Sequence, residues 1–272
     1  MNVDLQQQTA IVTGAAQGIG RIIARDLGRS GAAVVVADVQ DEKGQAVVDE
    51  LGSEGTPARF VHCDVTSVED TRALAETAVE EFDSIDVLVN NAAIESENVD
   101  LDDEEWYAGR FADVDPDHWR RVLDTNLTGP FNCAAAVVPT MKQQGGGNVV
   151  NISSMAGRNV SYGGGQDYTA SKWGVVGFTK HLAWDLGKHG IRVNCVCPGM
   201  VLTPRNEEEL PGGLVDARRR NVALDEFPRP EDIADGVRFL VSDAAAKQTG
   251  TVMEIDSGEQ LGPRPEVIEK RE

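Results

Sequence analysis

The 272 residues carry 45 Asp plus Glu against 25 Lys plus Arg, a formal net charge of -20 at pH 7. That sign opposes nucleic acid and anionic membranes, which are bound by Lys and Arg set against phosphates; the densest basic cluster is the single run Arg218-Arg219-Arg220. With no apolar run near the roughly 18 residues a membrane span needs, no signal-peptide pattern at residues 1–9 and four cysteines in all, the expectation is a cytoplasmic protein. Its thiols are expected to be reduced and its partner a small molecule.

Along the chain, short apolar runs alternate with helical patterns. Strands are expected at 10–13, 33–38, 59–63, 86–90, 148–152, 192–196 and 251–255. Helices are expected at 19–30, 41–51, 68–82, 118–141, 168–188 and 231–241. The strands are nearly continuous in Val, Ile and Ala, which predicts burial on both faces, as in a parallel sheet covered by helices. Right-handed crossovers then give an α/β Rossmann-like, doubly wound sheet of about seven strands. No linker, repeat or low-complexity tract interrupts it, so 1–272 is read as one domain. Ligands in such sheets bind beyond the carboxyl ends of the strands, and the motifs fall there.

After the first strand comes Thr13-Gly14-Ala15-Ala16-Gln17-Gly18-Ile19-Gly20. Small residues let the backbone approach a pyrophosphate, which would sit on the free amides of Gly18, Ile19 and Gly20 at the positive end of a helix. Asp38 closes the second strand, 18 residues beyond Gly20. A carboxylate there accepts hydrogen bonds from the ribose hydroxyls of NAD and repels the 2'-phosphate of NADP. No Arg or Lys occupies 15–17 or directly follows Asp38 to offset that repulsion, so the predicted cofactor is NAD. Asp64-Val65 ends the third strand, where an Asp can meet the adenine amine, and Asn90-Asn91-Ala92-Ala93 ends the fourth, where small residues let the adenosine side pass.

Tyr168-Thr169-Ala170-Ser171-Lys172 opens a helix with Tyr and Lys at i and i+4, on one face. A free phenol has a pKa near 10, too high for a base at neutral pH. An ammonium held nearby favours the phenolate. Ser153 and Ser154 follow the fifth strand and can face the same crevice. The four histidines are scattered without ligand spacing, so no metal site is expected.

Together these motifs resemble the classical short-chain dehydrogenase/reductase family, over about residues 5–262. The combination is T-G-x-x-x-G-I-G, N-N-A, I-S-S and Y-x-x-x-K, with the Pro198-Gly199-Met200-Val201-Leu202-Thr203 stretch similar to the family's nicotinamide-contacting loop. The resemblance implies Tyr168 as general acid/base and Ser154 as the hydroxyl that orients the substrate oxygen. It implies that Lys172 binds the nicotinamide ribose and lowers the tyrosine pKa, and that Asn126 holds a water in a proton relay. For the cofactor it implies contacts from Gly14, Gln17, Gly18, Ile19, Gly20, Asp38, Asp64, Val65, Asn91, Ala92, Tyr168, Lys172, Pro198, Gly199, Val201 and Thr203. The helices carrying Asn126 and Tyr168 resemble those through which family members form dimers and tetramers, so a homo-oligomer, dimer or tetramer, is implied.

The activity implied is NAD-dependent interconversion of a secondary alcohol and a ketone. A mixed lining, with Arg158, Gln166, Asp167 and Arg205 beside Trp106, Tyr107, Met155 and Met200, suits a sugar, polyol, aldonate or small hydroxy or keto acid. Two other readings stand beside it: a 3-oxoacyl thioester reductase, and a non-catalytic NAD-binding regulator. Ala93 and Ser257 replace glycines of the family pattern. Residues 95–117 form an acidic insertion holding ten acids and one base, -9 of the -20, and 200–225 is the expected substrate-loop region. The remaining surplus fits either an ordinary acidic cytosolic enzyme or adaptation to molar salt, where screening quiets self-repulsion.

Overall fold

A computed structural model describes residues 3–95, 115–159, 165–203 and 222–261, together with Val215 and Arg219. Most of the acidic insertion and most of the 200–225 region lie outside the described residues. So do Trp106, Tyr107 and Arg205.

The first half of the sheet is built from β1 (Thr9–Thr13), β2 (Ala33–Asp38), β3 (Ala58–His62) and β4 (Val87–Asn90), linked by α1 (Gly18–Arg29), α2 (Asp41–Ser53) and α3 (Val68–Phe82). The second half holds α4 (Pro116–Leu123), α5 (Gly129–Gln144), β5 (Gly147–Ile152), α6 (Gln166–Leu186), β6 (Ile191–Pro198), α7 (Pro230–Val241) and β7 (Val252–Ile255). All pairings are parallel, in the order β3-β2-β1-β4-β5-β6-β7. The order reverses between β1 and β4, the point at which an open α/β sheet leaves a crevice for a ligand.

Alternation within each strand divides the core into two layers. Val12, Val34, Val36, Val87 and Val89 pack under α1, α2 and α7. Ile11, Val35, Leu88 and Val149 face the other way, onto α3, α5 and α6. Burial on both faces is the reason these strands read as continuous apolar runs rather than alternating ones.

The one long helix expected at 118–141 is divided. α4 ends at Leu123, a π-helical turn spans Asp124–Thr128, and α5 begins at Gly129. Apolar periodicity runs through the whole segment, so the widened turn leaves no trace in the pattern. Single π turns within α-helices recur at functional sites, and this one carries Asn126.

Candidate active site

The glycine loop is shaped by two opposite needs. Gly20 sits where a Cβ would lie 2.2 Å from the Gly14 carbonyl oxygen and 2.4 Å from Asn91 Nδ2, so only a bare Cα fits. Gly18 has φ +56° and open space where a side chain would go. Its left-handed backbone favours glycine, and the free volume lies beside the first turn of α1. No side-chain cap bonds to that turn from Gln17. Uncapped amides, the helix dipole and room for a ligand together fit a pyrophosphate.

The strand ends lock the loop in place. Thr13 Oγ1 accepts from the amides of Asn91 (3.0 Å) and Ala92 (3.1 Å). Asn91 Nδ2 donates back to the carbonyls of Thr13 (2.9 Å) and Gly14 (3.0 Å). Asn91 thus holds β4 to β1 across the crevice. Asp38 is buried, accepting from the amides of Ala16 (3.0 Å) and Gln40 (3.0 Å). The Asp38 carboxylate thus fixes the glycine loop to the end of β2.

One residue here escaped the sequence reading. Lys43, in the first turn of α2, donates from Nζ to Gln17 Oε1 (2.9 Å) and Gln40 Oε1 (2.7 Å). It brings a cation to the rim of the Asp38 site although it stands five positions further along the chain. Asp64 lies exposed in a local turn, its Oδ1 accepting from the amide and hydroxyl of Thr66. Buried Asn132, also missed, donates to the Val65 carbonyl at 3.0 Å and ties α5 to the end of β3.

At the other side of the crevice, the two serines after β5 diverge. Ser153 is buried and donates to the Lys172 carbonyl at 2.9 Å. The Ser154 hydroxyl accepts from the Ala156 amide at 3.1 Å and stands near enough to the Tyr168 phenol to oppose the rise of its pKa. Lys172 is 3 % exposed; its Nζ donates to the Ile152 carbonyl (3.1 Å) and lies 5.4 Å from the Tyr168 ring centre. Asn126 Oδ1 accepts from the Ile94 amide at 2.8 Å, while Nδ2 donates to the Ile94 carbonyl (2.9 Å) and to Ser171 Oγ (3.3 Å). Ser154, Tyr168, Lys172 and Asn126 are thus gathered around one strand end and the first turns of α6.

The electrostatics differ from the sequence expectation that Lys172 pulls the phenol pKa down. Tyr168 keeps some accessible surface at the crevice mouth, yet protein surrounds it so closely that burial pushes its phenol up to about 12, the Ser154 hydrogen bond opposing and Glu95 adding to the rise. Burial also lowers Lys172 to about 8. Loss of water is the largest cause at both groups, since burial penalises the phenolate and the ammonium alike. Glu95, exposed just after the Asn126-clamped Ile94, is close enough for its charge to act on both groups.

The Pro198-Gly199 turn closes the crevice from β6, with the Gly199 amide on the Ile255 carbonyl at 2.9 Å. Val201 is buried and Thr203 half-buried. The two departures from the glycine pattern separate here. Ser257 has φ +55°, a left-handed backbone that explains glycine at this position. Ala93 is not among the residues with positive φ, so alanine fits without strain. The four cysteines are free and buried, and no cluster of metal-binding side chains occurs among the described residues.

Comparison with known proteins agrees with this geometry. The family model for short chain dehydrogenases matches residues 8–212. The chain is 39% identical over 262 residues to trans-4-hydroxycyclohexanecarboxylate dehydrogenase of Sinomonas cyclohexanicum, covering 94% of each chain. It is 36% identical to a 3-oxoacyl-(acyl-carrier-protein) reductase of Staphylococcus aureus, covering 92% of this chain and 97% of that protein. A solved 7α-hydroxysteroid dehydrogenase complexed with NADH and 7-oxo glycochenodeoxycholic acid superposes with a TM-score of 0.85 at 31% identity, covering 94% of this chain and 96% of that one. A loop fit for pyrophosphate, a Ser–Tyr–Lys cluster facing it and this similarity along nearly the whole chain lead to one conclusion: the chain belongs to the short-chain dehydrogenase family, oxidoreductases that use a nicotinamide cofactor on alcohol and ketone groups.

Proposed function

We propose that the protein is a cytosolic, NAD-dependent dehydrogenase of a small, polar secondary alcohol. The observation that carries this reading is the Ser154–Tyr168 hydroxyl pair backed by Lys172, facing the loop on which Asp38 is held. Gly14, Gln17, Gly18, Ile19 and Gly20 would hold the pyrophosphate, and Asp38 the adenosine ribose. Asp64, Val65, Asn91 and Ala92 would flank the adenosine, while Pro198, Gly199, Val201 and Thr203 border the nicotinamide. When bound, the nicotinamide carries the hydride, and its oxidised ring adds a positive charge that favours phenolate. Tyr168 exchanges the proton with the substrate oxygen, and Ser154 donates to that oxygen and fixes its place. Lys172 holds the cofactor ribose, and Asn126 sits at the outer end of the proton path through its π turn.

NAD is favoured over NADP because the Asp38 carboxyl is buried where a 2'-phosphate would need room and positive charge. Lys43 is the counterweight, and paired assays with NAD and NADP on wild type and Lys43→Ala weigh the two. A clear preference for NADP would overturn this part of the reading.

Sugars, polyols, aldonates and small hydroxy or keto acids remain the substrate classes. Glu95 ranks neutral carbinols ahead of 2-hydroxy acids, because a carboxylate next to the reacting carbon would face it. A ring acid whose carboxylate lies far from the carbinol, as in the substrate named for the Sinomonas relative, escapes that repulsion. A 3-oxoacyl thioester reductase is the second reading, supported by the Staphylococcus relative and opposed by Asp38, since such reductases mostly use NADPH. An NAD-binding regulator gives way to the dehydrogenase reading, given the enzymes this chain resembles. A panel of secondary alcohols with NAD, followed by NADH absorbance, decides between the substrate classes.

Phe131, Trp173 and Trp184 stand exposed on α5 and α6, which supports burial of these helices in a homodimer or homotetramer. Size-exclusion chromatography with light scattering tests it, and a monomer would contradict it. The acidic surplus supports adaptation to high salt; a fall in melting temperature between about 0.1 M and 2 M KCl, where screening becomes nearly complete, would exclude it.

A further inference from the structure

We propose that His118 and Asp167 form a positioning dyad that sets where α6 begins and therefore where the Tyr168 hydroxyl stands. The proposal rests on the reading of Tyr168 as the proton-transfer residue. Both side chains are buried, His118 at 8 % and Asp167 at 3 % exposure, and they come from different helices. His118 Nε2 lies 3.3 Å from Asp167 Oδ2. On the far side of the ring, Arg121 Nη2 lies 2.8 Å from His118 Nδ1. A guanidinium can only donate, so Nδ1 is the acceptor of that bond, and Nε2 is the ring nitrogen beside Asp167.

Asp167 completes the chain of contacts. Its Oδ1 accepts from the Tyr168 amide at 2.7 Å, in the first turn of α6, where an anion is favoured by the helix dipole and by amides without helical partners. One line of polar contacts thus runs from Arg121 through His118 and Asp167 to the main chain of Tyr168. It starts on α4, directly before the π turn that carries Asn126, and so ties the segment leading into Asn126 to the helix that bears Tyr168.

A buried ionisable pair contributes little stability beyond an apolar pair of the same shape. Its effect here is geometric: Asp167 and Tyr168 are adjacent, so a shift of the carboxylate moves the tyrosine backbone. Displacements on the order of 1 Å at a reacting group cost about 100-fold in rate.

The test compares His118→Phe, His118→Gln and Asp167→Asn in the full-length protein, using the alcohol that wild type oxidises. Phe keeps bulk and loses the donor; Gln restores a donor. The expected result for His118→Phe is a fall in kcat of about 30- to 100-fold, a displaced pH profile of kcat, and an NADH Kd within about threefold of wild type. His118→Gln should recover most of kcat. If His118→Phe does not fold, Asp167→Asn carries the test, since it keeps the shape and removes the anion. An unchanged kcat and pH profile in the folded variants would overturn the dyad. So would equal losses of kcat and NADH binding that Gln does not rescue, which mark a purely structural contact. Tyr168→Phe in the same assay keeps the two ideas apart, because residual turnover there contradicts the assignment of Tyr168 and leaves the dyad without an object.

Discussion

The two sides of the crevice are built by different physics. On the β1–β2 side, main chain and shape dominate: Gly20 lets Gly14 and Asn91 close in, and Asp38 and Asn91 serve mostly to hold backbone in place. On the β5–α6 side, side chains dominate, and burial sets their protonation, lifting Tyr168 to about 12 and lowering Lys172 to about 8. The contrast teaches that equally small substitutions should fail in different ways. Changes on the first side should move stability and cofactor affinity. Changes on the second should move rate and pH dependence.

The largest effect is expected at Tyr168. Removing the hydroxyl in Tyr168→Phe should lower kcat by about 10³-fold or more while NADH binding, measured by fluorescence titration, stays near wild type. Equal losses in both quantities would erase the contrast between the two sides.

Within the glycine loop the contrast can be sharpened by a pair. Gly20→Ala drives a methyl into main chain and should cost about 3 kcal/mol or more, visible in chemical denaturation. Gly18→Ala meets open space and strains only its left-handed backbone, for about 1 kcal/mol. Its methyl should instead weaken NADH binding, so affinity falls more than stability. Asp38→Ala should lower the preference for NAD over NADP by about 10- to 100-fold, the loss of charged hydrogen bonds to the ribose; kcat/KM for each cofactor measures it.

The pH profile probes the second side. Because burial holds the Tyr168 proton, its acid form prevails in the free enzyme throughout the neutral range. Ketone reduction, which uses that form, should therefore show kcat/KM that is flat from about pH 6 to 8. Alcohol oxidation uses the base form and should rise by up to about tenfold per pH unit. The rise should bend near pH 8, where Lys172 has lost about half its charge. Alcohol oxidation already level by about pH 7, with ketone reduction falling above it, would mean that the ammonium, not burial, governs the phenol.

The smallest effects come from the two former glycine positions. Ser257→Gly relieves a left-handed backbone and should stabilise by a few tenths to about 1 kcal/mol, the relief being partly offset by a freer unfolded chain. Ala93→Gly removes no strain and should destabilise by about 0.5 kcal/mol. Thermal melts of both variants should move in opposite directions.

The fold was legible because the central strands, apolar with little polar interruption, can be strands only if both faces are covered; the edge strands β3 and β7, less buried, follow from their spacing between helical patterns. The glycine turn after β1 was legible because its needs are local: a left-handed residue, small side chains and a strand-end acid that holds it. What escaped depends on contacts that sequence spacing does not encode. Lys43 reaches Gln17 because α2 turns back over the loop. His118 meets Asp167, 49 positions away, through the packing of α4 on α6. The π turn at Asp124–Thr128 leaves the apolar period intact, and the balance of burial against charge at Tyr168 needs a shape before it has a sign.

Tyr168, set beside Ser154 and across the crevice from the glycine loop, is proposed to transfer the proton when a secondary alcohol is oxidised. The most direct test of this follows NADH formation from a panel of sugars, polyols and cyclic hydroxy acids, with wild type and Tyr168→Phe side by side. The account predicts turnover of at least one alcohol with NAD by wild type and a loss of about 10³-fold in the variant, with NADH still bound. Turnover by Tyr168→Phe close to that of wild type would contradict it.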